Sequence, residues 1–257
     1  MNRNILIGTA AVGALAVAYY FFSGPPHEAP TGPKPPLTLV DPATAARVSG
    51  RVRFEGKVPE PTLIDMSSSE CGGLHHGAAV PDGKLLVKDG LLRNAVVYVK
   101  SGLEGKAFAV AAEPVTVDQK GCLFVPRISA VQAGQPVRFL NSDPTKHNVK
   151  GLPKAKGNAP FNLGFAFKGV SHAVTLARPE VAVPLNCDFH PWMLGYVAVL
   201  DHPFFQVTGE DGAFSLKGLP PGDYEIEAWH ETLGTRSGKV HLAPSGSQEI
   251  VLTFGSP

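Results

Sequence analysis

The sequence has no excess of charge, few cysteines and no long amphipathic helix. Its 23 basic and 22 acidic residues leave a formal charge of +1, so the overall charge favours neither a nucleic acid nor an anionic lipid surface as partner. No long segment repeats apolar residues at the three-and-four spacing of a surface helix. Paired carboxylates, a phosphate-binding loop and a local nucleophile–base arrangement are also missing, and we do not predict an enzyme.

Short apolar clusters, rich in Val, Phe and Tyr and separated by turn residues, make up most of the chain. This pattern is typical of antiparallel sandwiches and barrels, and the 28 Gly and 24 Pro residues suit a fold with many turns. We therefore predict an all-β fold. The predicted strands cover residues 47–54, 94–100, 114–119, 122–126, 135–141, 172–177, 196–201, 213–217, 223–230, 238–243 and 248–254.

The N-terminal residues 1–22 are predicted to form a transmembrane helix. They contain an unbroken apolar run from Ile5 to Phe22, which is just long enough to cross a bilayer. A signal peptide cleaved after Ala18 is the alternative, and both interpretations export the rest of the chain. Residues 23–45 then form a proline-rich linker. The expected location is the periplasmic or extracytoplasmic side of the cell envelope, with the helix anchored in the inner membrane.

The three cysteines divide into a pair and a single residue. Cys71 and Cys122 lie beside turn residues or strand edges, whereas Cys187 lies among other soft ligands. Oxidising compartments favour disulfides, and a cysteine must be deprotonated to bind a metal. The economical assignment is a Cys71–Cys122 disulfide, with Cys187 left as a free thiolate.

The segment "NCDFHPWMLG", residues 186–195, places Cys187, His190 and Met193 at intervals of three. Upstream, in "FLNSDPTKHNV", a strand and a turn lead to His147. Two imidazoles, one thiolate and a weak thioether are the ligands of mononuclear blue-copper electron-transfer sites. The alternative without a metal site is a buried cysteine, a hydrogen-bonded histidine and a core methionine.

Other metals suit this set of side chains less well than one copper ion. Structural zinc sites rarely use a thioether, and calcium and magnesium need clusters of oxygen ligands. A dinuclear copper site would need a second thiolate in the ligand loop, and a multicopper oxidase would need His-x-His pairs, of which the chain has none. His75 and His76 could form a second metal site or be a solvated pair.

The segments "NSDPTKHNV" and "CDFHPWM" resemble those of the cupredoxins, the plastocyanin and azurin group, and the loop spacing is similar to that of amicyanin-like members. The likeness covers residues 114–201 and implies a Greek-key β-sandwich. It implies that His147, Cys187 and His190 are strong copper ligands and that Met193 is the long axial one.

The same resemblance implies roles around the ligands. Asn148 would hold the two ligand loops together, close to the thiolate. The electron would leave through His190 at the solvent-facing end, within an apolar docking patch of Pro191, Trp192 and Leu194. The resemblance implies a small or medium residue at position 192, and Trp192 differs from it. How far this side of the copper site is exposed to solvent is therefore an open question.

A second resemblance concerns the C-terminal residues. "VTGEDGAFSLKGLPPGDYEIEAW" is similar to the carboxypeptidase regulatory-like domain, a small transthyretin-like sandwich whose usual opening strands are present far upstream as "SGRVRF" and "NAVVYV". We therefore predict one discontinuous sandwich, 46–111 plus 202–257, interrupted by a cupredoxin domain, 112–201, because closely spaced chain ends tolerate such insertions. The whole resembles bacterial proteins labelled methylamine-utilisation proteins.

The sequence thus predicts an exported, membrane-tethered copper protein that carries single electrons. Its partner would be a redox protein such as a periplasmic cytochrome or an oxidase, without nucleic acid, and it would touch the membrane only through the N-terminal helix. Two alternatives stay open. The protein could deliver or store copper, or it could be an interaction module that binds protein or glycan and whose fold is stabilised by copper.

Overall fold

The computed structural model describes residues 36–67 and 69–256. The predicted membrane segment, 1–22, and the first part of the linker lie outside them. Within the described ranges no helix has the length and apolar character needed to cross a membrane. The all-β prediction is confirmed, since the described residues contain one short helix, α1 (Cys71–Leu74), and their other regular elements are strands.

The strands fall into three groups along the chain. The first group is β1 (Ala46–Glu55), β2 (Leu63–Ile64), β3 (Val80–Pro81), β4 (Val87–Lys88), β5 (Leu91–Leu92) and β6 (Val96–Ser101). The second is β7 (Val115–Gln119), β8 (Phe124–Val125), β9 (Ile128–Gln132), β10 (Pro136–Asn141), β11 (His147–Gly151), β12 (Phe161–Phe165), β13 (Ser171–Thr175), β14 (Glu180–Asn186) and β15 (Leu194–Leu200). The third is β16 (Phe205–Val207), β17 (Ala213–Leu219), β18 (Gly222–His230), β19 (Gly234–Leu242) and β20 (Ser247–Gly255).

One sandwich is built from strands at both ends of the described chain. Its first sheet has the order β17-β1-β5-β4, with β20 also paired to β1, and its second has the order β16-β6-β18-β19. Alternate residues of these strands point inward, as in β1, where buried and less buried residues alternate. The enclosed core includes Val52, Leu92, Ile226 and Phe254.

A second sandwich comes entirely from β7 to β15. Its sheets have the orders β13-β10-β7-β8 and β12-β11-β14-β15-β9, and its core includes Phe139, Phe165, Leu185 and Val197. Residues 63–81, which carry α1 and the β2–β3 pair, also belong here because Met66, Cys71 and Val80 are buried in the same core. The sequence had assigned this segment to the other sandwich. The domain boundaries themselves stay predictions.

A third, smaller apolar layer joins the strands of the two sandwiches. Val96 and Tyr98 of β6 pack with Ile128 of β9 and with residues of β15. At its edge Arg127 forms a bidentate ion pair with Glu231, with N–O distances of 2.5 and 2.7 Å. Both side chains are largely buried, a setting in which the two parallel hydrogen bonds give directional specificity.

The first and last strands of the first sandwich lie side by side. β1 and β20 pair in parallel, from Arg47 opposite Ser247 to Glu55 opposite Gly255. At Gly50 the strands approach so closely that a Cβ atom would lie 1.7 Å from the Ile250 carbonyl oxygen. Any side chain at this position would therefore push the two strands apart.

His230, at the end of β18, is expected to make the protein less stable in acid. Burial, and next the charge of Arg127, lower the pKa of His230 to about 4, and its Nε2 has no hydrogen-bond partner among the described residues. Because the unfolded chain takes up this proton nearer pH 6.5, stability should fall by about 3 kcal/mol between pH 6.5 and 4 and be independent of this group above pH 6.5.

Urea unfolding across this pH range, with His230→Asn as the comparison, tests that expectation. Asn can still accept the hydrogen bond that Thr232 N–H donates to His230 Nδ1, at 3.2 Å. The variant should have a flatter pH dependence than the wild type. Equal slopes would show that His230 is not responsible.

Candidate metal centre

The second sandwich brings two loops together at one end. His147 begins β11, whereas Cys187 follows β14 directly, and the loop turns through His190 and Met193 into β15. β11 pairs with β14 near their ends, with Lys150 opposite Asn186. Neighbouring strands therefore deliver the histidine and the ligand loop to the same place, although 40 residues separate His147 from Cys187 in sequence.

Three candidate ligands converge on one point. His147 Nδ1 lies 3.0 Å from His190 Nδ1, and Cys187 Sγ lies 3.6 Å from His190 Nδ1. The three donor atoms are all within 4.8 Å of one another, and all three residues are buried. Because nitrogens bound at about 2.0 Å and sulfur at about 2.3 Å lie roughly 3 to 4 Å apart around one ion, these spacings fit a single metal ion.

Met193 lies in the same core as Cys187 and is fully buried. Its backbone N–H donates to the His190 carbonyl at 2.9 Å, which closes the ligand loop as a tight turn. One thiolate and two imidazoles, with the Met193 thioether in the same core, are donors of the kind that suit copper.

The electrostatics of the site favour a thiolate at Cys187. Burial alone would raise the pKa of the thiol, but the hydrogen bond with His147 and those from the backbone N–H groups of Asn148, Phe189 and His190 outweigh it and lower that pKa. For His147, burial acts to lower the pKa, yet the bonds to Asp143 and Cys187 raise it above its ordinary value. The sulfur is thereby prepared for metal binding.

Asp143 is a functional residue that the sequence analysis missed. Its Oδ2 lies 3.0 Å from His147 Nε2, and its two oxygens accept N–H bonds from Gly121 and Cys122, each at 2.7 Å. Those two residues have φ of 64° and 53°, so the carboxylate holds a left-handed turn together. A carboxylate on the outer nitrogen of a ligating histidine fixes its tautomer and orientation.

Asp143→Asn is expected to weaken copper binding by about 10- to 100-fold, the usual effect of removing such a partner of a ligating histidine. The amide would also leave one of the two backbone N–H donors without an acceptor. Copper affinity measured by chelator competition tests this, with Asp211→Asn, an exposed position in the other sandwich, as the control. A wild-type affinity in Asp143→Asn would contradict the assigned role.

Asn148 lies between the two ligand loops. Its Nδ2 donates to Asp188 Oδ2 at 2.9 Å and to Asn162 Oδ1 at 2.7 Å, and its Oδ1 accepts from Asp188 N–H at 2.7 Å. Its own backbone N–H helps to lower the pKa of the Cys187 thiol. These bonds tie β11 to the start of the ligand loop.

His190 is less exposed than the sequence indicated. We expected it at the solvent-facing end, but only 7% of its surface is accessible. The Trp192 ring lies 5.4 Å away between centroids, and Trp192 Nε1 donates to the Cys122 carbonyl at 3.1 Å. Burial, and next the charge of His147, lower the pKa of His190. In the predicted docking patch, Pro191 is exposed, and Trp192 and Leu194 are half-buried.

The disulfide between Cys71 and Cys122 lies beside His190 and helps to bury it. Cys71 and Cys122 are bonded and Cys187 is free, as the sequence predicted. His75 Nε2–H donates to the Gly121 carbonyl at 2.7 Å, next to Cys122, so His75 fastens the segment around α1. His76 is exposed and has no assigned role.

No protein-family model and no curated protein matches this chain. Among solved structures, a copper-containing nitrite reductase from Thermus scotoductus SA-01 is 25% identical over 41% of this chain and 25% of its own, with a TM-score of 0.32. A reduced amicyanin variant is 24% identical over 40% of this chain and 97% of its own, with a TM-score of 0.31. An amicyanin variant with Cu(I) is 22% identical with the same coverage and TM-score. The match spans only a quarter of the nitrite reductase, and similarity at this level assigns no family.

Proposed function

We propose that the protein is an exported copper protein that carries single electrons between redox proteins and is not an enzyme. The convergence of His147, Cys187 and His190 on one buried point carries this proposal. Bound copper would supply a one-electron couple, and this donor set is the one used by mononuclear electron-transfer sites. The sequence resemblance to cupredoxins supports the same function.

The chain's own residues would keep the ligands in place during electron transfer. Asp143 orients His147, and Asn148 ties the ligand loop to β11. Trp192 shields His190 from water. Because these contacts hold the ligand side chains to the strands, the ligands would need little rearrangement when the charge of the site changes.

We further propose a redox partner such as a periplasmic cytochrome or an oxidase, docking beside the ligand loop. Pro191 is exposed there, and Phe189, 50% accessible, lies under the Lys146 ammonium at 4.9 Å. Transient complexes between redox proteins typically have small interfaces. The N-terminal segment would anchor the protein on the outer side of the inner membrane. The sandwich that contains β1 and β20, which the sequence predicts to be a regulatory-like domain, would serve as a rigid platform.

Copper-loaded protein tests this function by absorption and paramagnetic-resonance spectroscopy, followed by voltammetry. An intense visible charge-transfer band and a reversible one-electron potential are expected. A colourless copper complex would overturn the proposal.

Copper delivery is the second candidate, because Cys187 borders a surface groove that Lys150, Asp188 and Pro191 also line. Rapid loss of copper to a chelator, without a reversible potential, would favour delivery. Slow loss with fast electron self-exchange would favour the carrier.

A further inference from the structure

A second group of soft ligands lies directly beside the first. The sulfur atoms of Cys71 and Cys122 and a nitrogen of His190 are within 4.8 Å of one another, and all three residues are buried. The Cα atoms of the two cysteines are 5.8 Å apart, so both sulfurs can reach one ion. In the disulfide form, however, neither sulfur is a thiolate and the pair is a poor ligand.

Contacts other than the disulfide hold the two cysteines in this position. Cys71 is buried with Met66 in the core of the second sandwich, and the β2–β3 pair encloses its segment. On the other side, Asp143 fixes the Cys122 backbone. The hydrogen bond from His75 to the Gly121 carbonyl joins the two sides. Breaking the S–S bond therefore leaves the sulfurs adjacent.

We propose that Cys71, Cys122 and His190 form a second metal site, which takes Cu(I) when the disulfide is reduced. This site goes beyond the proposed electron-transfer function, since it does not need Cys187. Because His190 belongs to both groups, an ion on the cysteine pair would be one side chain away from the Cys187 site. Copper could then pass between the two groups through His190.

The redox step needs a two-electron donor, which we take to be a dithiol. The S–S bond between Cys71 and Cys122 breaks, the dithiol closes to its own disulfide, and its two hydrogens end on the protein sulfurs. Binding of Cu(I) then displaces both protons to solvent, and the oxidation state of copper does not change.

The donors favour Cu(I) over zinc. Two thiolates and one imidazole are soft ligands of the kind that select Cu(I), whereas a structural zinc site closes with four protein ligands. The described residues provide no fourth Cys or His in this group. Glu70, which precedes Cys71, is close enough for its charge to act on the His190 imidazole, and it would offset the charge of an entering cation.

The test uses the full chain with Cys187→Ala, which removes the thiolate of the first site. A phosphine reduces the disulfide, taking up oxygen from water as its oxide, and is removed without air. Cu(I) is then offered as its coloured complex with a bicinchoninate chelator. The reduced variant should take one Cu(I) per chain, and the oxidised variant none.

Two further variants in this Cys187→Ala background serve as controls. His190→Gln should weaken Cu(I) binding about tenfold or more, since a lost ligand costs at least as much as a lost supporting hydrogen bond. His241→Gln, the same change at an exposed histidine of the first sandwich, should not.

Five results would overturn the proposal. Three concern binding: no Cu(I) uptake by the reduced chain, uptake that does not depend on His190, and retention of zinc in preference to Cu(I). Two concern the reduction: a disulfide that resists it, and a chain that unfolds when it is reduced, as seen by circular dichroism. A colourless wild-type Cu(II) protein would defeat the electron-transfer function but would leave this site standing, so the two failures are distinguishable.

Discussion

Cys187→Ser is expected to abolish the intense visible absorption of the copper-loaded protein. The band requires a thiolate bound to copper, and the serine hydroxyl is neither deprotonated at neutral pH nor a soft ligand. Absorption and paramagnetic-resonance spectra of protein loaded with equal amounts of Cu(II) measure the effect.

Trp192→Phe is the matched control for this spectrum. Trp192 lies in the same loop and contacts His190, but its side chain has no donor atom for copper. The variant should keep the band. Colour retained in Cys187→Ser, or lost equally in both variants, would show that Cys187 is not the ligand that produces it.

Removing the disulfide, by Cys71→Ala and Cys122→Ala together, is expected to lower the free energy of unfolding by about 4 kcal/mol. The bond joins residues 51 positions apart, and without it the unfolded chain gains the freedom of a long loop. Alanine avoids burying two hydroxyls at positions that are fully inaccessible.

Urea unfolding at neutral pH measures this loss, with Cys187→Ala as the control. Cys187 is also a buried cysteine, but it closes no loop, so its replacement removes only packing. If the two proteins lost the same stability, the disulfide would contribute nothing beyond the volume of its atoms.

The strand pattern of the first sandwich could be predicted because its strands alternate buried and exposed residues. The segments 47–54, 223–230 and 248–254 match β1, β18 and β20 closely. Strands at the metal end were missed. β11 and β12 carry Asn, Gly and Lys among their apolar residues, because their side chains serve the ligand loops as well as the core, and this hides the alternation.

The four candidate ligands could be chosen by residue type and spacing, and the structure brings three of them to one point. Asp143 could not, because an aspartate before a proline has the sequence pattern of an ordinary turn. Its one signal was the interval of four residues to His147, which is too common to be used.

The burial of His190 could not be predicted for a different reason. Part of its cover comes from the disulfide, and Cys71 lies more than a hundred residues earlier in the chain. The sequence indicated which cysteines pair, but the pairing does not say that the disulfide lies against the ligand loop.

The parallel pairing of β1 with β20 determines how the first sandwich would resist mechanical force. A pull applied between residue 46 and residue 255 acts on opposite ends of two strands that run side by side in the same direction. All the hydrogen bonds of that pair are then loaded together in shear, whereas strands pulled from adjacent ends would unzip one bond at a time. A protein held at its N-terminal side and pulled at its C-terminal side should therefore resist a high force, because this strand pair carries the load.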